Sequence, residues 1–137
     1  MRKRFALLWT MLVLGAALSL PASTAAATYG KIAFTGGYCS GTNTVNADFK
    51  LTKYSGFYAT HLTMSAKGQG FVNGKWKTEY NIGTWTKNVY TNGSATMKKT
   101  FWYKPGHRGS HRIVVTGKIW DGGYVIATGK DHSGYCS

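Results

Sequence analysis

Apolar and polar positions alternate along most of this chain with a period of two. Val45, Ala47, Phe49 and Leu51 interleave with Asn46, Asp48, Lys50 and Thr52. Such a pattern buries one face of a β-strand and wets the other. A helical turn within residues 43–52 is the alternative there. Tyr58, Thr60, Leu62, Met64 and Ala66 repeat the rhythm, as do Trp76, Thr78, Tyr80 and Ile82, and then Ala95, Met97, Lys99, Phe101 and Tyr103. Residues 29–35, 112–120 and 124–128 read as further strands rich in β-branched and aromatic residues.

Turn signals separate these runs. Asn73-Gly74 is the strongest, because both residues tolerate the positive φ angles of a type I′ hairpin turn. Asn92-Gly93, Pro105-Gly106 and Asp121-Gly122-Gly123 mark three more, Gly36-Gly37 punctuates the first strand, and Gly68 with Gly70 suggests a bulge or a weakened edge. Seven or eight short strands at this spacing predict an all-β, immunoglobulin-like sandwich of antiparallel strands. Trp85 and Trp120 are expected to pack within it.

The N-terminus follows a different logic. Arg2, Lys3 and Arg4 precede an apolar stretch from Phe5 to Leu20, Pro21 ends it, and Ala25-Ala26-Ala27 places small residues before a cleavage point. This is the layout of a secretory signal peptide over residues 1–27, leaving one domain over 28–137. The stretch is short and polar for a membrane span, and no later one is longer. A secreted, extracellular monomer is the expectation.

Export changes the reading of the cysteines. The chain has two, Cys39 and Cys136, and outside the cytoplasm an even count predicts a disulfide. The bridge would close nearly the whole domain.

Charge narrows the partners. Fourteen of the 17 basic residues and all four acids fall after Ala27, leaving about ten net positive charges on the domain. An excess this lopsided favours a polyanionic partner: a cell-wall polymer, an acidic membrane surface or a nucleic acid.

The segment from Lys98 to Arg112 concentrates that charge. It holds five Lys or Arg, two His and three adjacent aromatics, with no acid. Cations neutralise phosphates and release counterions, and exposed rings stack bases or sugars. The candidate binding residues are Lys98, Trp102, Lys104, His107, Arg108, His111 and Arg112. No cofactor is expected. His107 and His111 stand four apart, but Gly109 between them argues against a helix, and no carboxylate is near in sequence, so no metal site is expected either.

One segment carries a resemblance. Pro105 to Ile113, followed by Thr128-Gly129-Lys130-Asp131-His132, is similar to the C-terminal part of the small secreted microbial ribonucleases. The resemblance implies that Arg108 and Arg112 bind a phosphate and that His132 protonates a leaving oxygen. The chain departs from that family where its catalytic glutamate would stand, near Lys98 or Lys99, and its only glutamate is Glu79. The first expectation is therefore a non-enzymatic cationic binding module, with an antimicrobial role within that reading. An exported ribonuclease-like toxin and a protein-binding or inhibitory scaffold are the alternatives.

Overall fold

The computed structural model describes residues 28–41 and 43–137. The expected signal peptide lies outside the described residues. Seven strands follow in order: β1 (Gly30–Ser40), β2 (Thr44–Lys53), β3 (Ala59–Val72), β4 (Lys75–Thr91), β5 (Ala95–Tyr103), β6 (His111–Asp121) and β7 (Tyr124–His132). They form two antiparallel sheets, a three-stranded one in the order β1-β2-β5 and a four-stranded one in the order β4-β3-β6-β7. This is an immunoglobulin-like strand order in which the fourth strand pairs with the third instead of the fifth. The Asn73-Gly74 turn accounts for that choice. Its φ angles of 52° and 77° close a tight β3–β4 hairpin.

The alternating pattern sets the core. Val45, Ala47, Phe49 and Leu51 of β2 face inward with Met97, Phe101 and Tyr103 of β5. Leu62, Met64 and Ala66 of β3, and Ile113, Val115 and Ile119 of β6, meet them from the other sheet. The stretch 44–52 is strand, not helix, and Asn43 stands in the turn before it. Trp85 packs edge-on against Phe101 at 5.0 Å. Trp120 instead stacks on His61 and donates from its indole N–H to Thr63, 2.9 Å away.

Three expectations shift in detail. Gly36-Gly37 does not end β1; the strand continues through a bulge between Phe34 and Gly36. Gly37 permits this, since a Cβ there would stand 2.3 Å from the Asn46 carbonyl oxygen. Gly68 and Gly70 lie on a central strand, β3, with register shifts against β4 nearby. Tyr58 precedes β3 and is exposed.

Beyond β7 the chain returns to β6. Ser133 N–H bonds the Ile113 carbonyl, and His111 and Cys136 exchange both backbone hydrogen bonds at 2.8 and 2.9 Å. That pairing sets Cys136 against Cys39, and the two form the expected disulfide across a separation of 97 residues. The bond joins β1 of one sheet to the segment bordering β6 of the other.

The opposite end of the sandwich buries a lysine. Lys53 is fully inaccessible. Its ammonium donates to the carbonyls of Tyr54 and Gly93 at 2.9 and 2.6 Å and lies 4.1 Å from the centre of the Phe57 ring. Burial lowers its pKa from the ordinary 10.5, because desolvation disfavours the charged form. Among the described residues no helix is long and apolar enough to cross a membrane.

Two stability predictions result. Replacing both cysteines by alanine is expected to cost about 4–5 kcal/mol, from the loop entropy returned to the unfolded chain, measured by urea unfolding against the oxidised protein. Lys53→Ala is expected to cost about 2–4 kcal/mol in the same assay, through the cavity and two stranded carbonyls.

Candidate functional site

The loop from Lys104 to Ser110 joins β5 to β6 at the disulfide end of the sandwich. Strand alternation in β5 turns Phe101 and Tyr103 into the core and leaves Trp102 outside, 61% exposed. In register, Trp102 sits opposite Asn46 of β2, and Asn46 sits opposite Tyr38 of β1. Two strand spacings put Tyr38 and Trp102 about 10 Å apart on one face, with Tyr38 68% exposed.

Beside Trp102 the loop closes over an open depression of about 700 Å³, lined among others by Asn43, Asn46, Trp102, Lys104, His107 and Arg108, and by no acid. Asn43 braces the loop from below. Its side chain is buried, and its amide donates to the His107 carbonyl at 2.8 Å and the Gly109 carbonyl at 3.4 Å.

The structure brings Trp102, Lys104, His107 and Arg108 together, and it sets the other three sequence candidates apart. Lys98 shares the outer face with Trp102 but lies four residues along the strand, about 13 Å away. It sits opposite Lys50, at a second depression next to the Asp48–Thr100 hydrogen bond. His111 points inward and is completely buried. Arg112, its neighbour on β6, therefore points outward from the four-stranded sheet. There its guanidinium lies 4.3 Å over the Trp76 ring and its Nε donates to Gln69 at 2.9 Å. Adjacent strand residues face opposite ways, so His111 and Arg112 cannot serve one surface.

His107 and His111 do meet, on a partner that sequence distance conceals. Glu79, on β4, places Oε2 at 2.7 Å from His107 Nε2 and Oε1 at 3.2 Å from His111 Nε2. The Tyr103 hydroxyl donates to Oε1 at 2.9 Å. The Glu79 side chain is 19% exposed, that of His107 53% and that of His111 1%. Two glycines of β3 make the room: a Cβ on Gly70 would stand 2.6 Å from the Glu79 carboxyl carbon, and one on Gly68 would stand 2.6 Å from the Tyr103 ring. The only glutamate in a strongly basic chain, with two histidines around a glycine loop, was the available signal. What it lacked was the register that brings β4 under that loop.

The set implied by the ribonuclease resemblance is not assembled. His132 lies on β7, at the opposite edge of the sheet from Glu79 on β4, about 14 Å away in strand spacings alone. Its ring Nδ1 donates to the Ser133 carbonyl, while Asp131 accepts the backbone N–H groups of Phe34 and His132.

No known protein family matches this sequence, and no curated protein matches it. Among solved structures, the chain is similar to one described as a beta-galactosidase from Bacteroides fragilis, with a TM-score of 0.47 and 16% identity, over 75% of this chain and 16% of that one.

The Tyr103 phenol gives the site a spectroscopic handle. Burial, and then the hydrogen bond and charge of Glu79, push its pKa from 10.0 up to about 12. The neutral phenol is favoured in the fold, so the stability it contributes is complete below pH 10 and is lost between pH 10 and about 12. An alkaline absorbance titration should show a late ionisation step near pH 12, and Tyr103→Phe should remove that step.

Proposed function

We propose that this chain is an exported, non-enzymatic binding module for an anionic polymer, which it holds at the depression beside Trp102. The observation that carries the reading is the acid-free lining there: an exposed indole next to Lys104 and Arg108. An indole face takes a sugar or base, while the two cations take neighbouring phosphates or carboxylates. Asn46 lies between Trp102 and Tyr38; its amide nitrogen donates to Ser40 at 2.9 Å, which leaves its carbonyl oxygen to accept from a sugar hydroxyl. A polymer of charged sugar or polyol units, such as a wall polymer, fits this combination of ring, amide and cation. The surrounding excess of positive charge steers a polyanion toward the surface. Secretion is supported by the disulfide that closes the domain and by the leader-like N-terminal pattern.

Titration with a poly(glycerol phosphate) and with single-stranded RNA, followed by tryptophan fluorescence over a range of salt, tests the proposal. Affinity is expected to fall steeply with salt. Joint replacement of Lys104 and Arg108 by alanine should flatten the log–log slope by about two units, and Trp102→Ala should weaken binding by about 5- to 150-fold. Arg112→Ala should leave the slope unchanged, because its guanidinium is engaged over Trp76 on the other sheet. Binding indifferent to Trp102 and to the Lys104–Arg108 pair would overturn the proposal. So would cleavage of the RNA that disappears in Glu79→Gln.

A further inference from the structure

We infer that Glu79, His107 and His111 form a binding site for a zinc-like divalent cation. The three residues each offer one ligand atom, and these atoms lie within 4.8 Å of one another. Two imidazoles and one carboxylate are a zinc donor set, and they exclude the all-oxygen preference of magnesium and calcium.

Proton positions favour a cation at the centre. His111 Nδ1 lies 2.8 Å from the Gly109 carbonyl oxygen, and His107 Nδ1 lies 3.0 Å from the Arg108 carbonyl oxygen. Carbonyls only accept, so both Nδ1 atoms carry the hydrogen. Each ring thereby presents Nε2 to the same carboxylate, and a cation that displaces a proton there would meet a nitrogen lone pair from each ring. This is how metal-binding histidines are held, with the far ring nitrogen donating to a fixed acceptor.

His111 is the decisive member. Its ring is sealed from solvent, yet Nε2 has no hydrogen-bond partner among the described residues. Glu79 Oε1 approaches to 3.2 Å without forming a hydrogen bond to it, and that oxygen already accepts from Tyr103. A buried polar atom left this way costs about 1–3 kcal/mol. A cation between nitrogen and oxygen removes that cost.

The dimensions suit zinc. Bonds of 2.0–2.1 Å in a tetrahedron separate ligand atoms by about 3.3 Å. The His111–Glu79 distance already matches at 3.2 Å. The 2.7 Å contact of His107 is to the other carboxylate oxygen, Oε2, and the three ligand atoms lie within 4.8 Å of one another, so a cation on Oε1 draws His107 inward; His107 is the half-exposed member, on a loop, and makes that adjustment. Tyr103 orients the carboxylate by its hydrogen bond, and Gly70 leaves the space in which the carboxylate sits.

The test is calorimetric titration of the metal-free, oxidised protein with zinc chloride, with cobalt(II) absorption as a second readout and no polymer present, so that its outcome is independent of the reading above. The expected result is one zinc per chain, tetrahedral-type visible bands with cobalt, and no competition from magnesium or calcium. Glu79→Gln and His107→Ala should weaken binding beyond the roughly 10- to 100-fold that loss of a supporting hydrogen bond costs, and Tyr103→Phe should fall within that range. His107 is the ligand of choice for substitution, because its exposure leaves the fold intact, which circular dichroism checks. Absence of binding at millimolar zinc, or zinc binding unchanged in both Glu79→Gln and His107→Ala, overturns the inference.

Discussion

The short antiparallel pairing of His111 with Cys136, locked by the disulfide to Cys39, organises the pole of the molecule where its polar side chains gather. A two-layer sandwich of this size has little core at its ends, and the loops there are held only by what they can bond to. Here the segment after β7 returns to β6, supplies both backbone hydrogen bonds to His111 and fixes the start of that strand against β1. The β5–β6 loop is thereby anchored at its far side. Its near side is set by Tyr103, and its middle by the Asn43 amide. Everything that the loop presents, inward to Glu79 or outward to solvent, depends on these three attachments.

The two poles deal with buried polarity in different ways. At one, Lys53 is taken wholly out of water and satisfied by two carbonyls and an aromatic face, with no carboxylate paired to it among the described residues. At the other, a carboxylate is covered by two imidazoles and a phenol. A charge without a partner in the interior is expensive, and both arrangements answer that cost with fixed dipoles and rings. The outer faces, by contrast, carry charge in water, where it costs little.

Much of this was legible in the sequence, where the signal was local. Period-two alternation placed Val45 to Leu51 and Met97 to Tyr103 inward, Asn73-Gly74 marked the tight hairpin, and the pairing of Cys39 with Cys136 followed from their being the only two cysteines in a chain read as exported. The site was legible only in part. Trp102 could be set opposite Phe101 and Tyr103 by alternation, and the basic loop beside it was plain. The strand beginning at His111 was not, so His111 and Arg112 read as members of one surface although alternation sends them to opposite sides. The meeting of Glu79 with His107 and His111 was hidden because it depends on register. β4 is long, and bulges at Ala66/Lys67 and Gly68/Gln69 shift its pairing with β3, so its position relative to a loop some thirty residues later cannot be counted from either segment alone. In the sequence Gly68 and Gly70 read only as interruptions of a strand; their use, making room for a phenol ring and a carboxylate, appears only when the second sheet is in place.

His107 belongs to two environments. It is among the residues that line the depression beside Trp102, while its Nε2 is turned to Glu79. A single imidazole cannot be reoriented for one neighbour without being reoriented for the other. Any species that settles on the outer side and any cation held on the inner side are therefore energetically coupled, and the coupling is reciprocal: by the factor that one alters the affinity of its counterpart, the counterpart alters it in return.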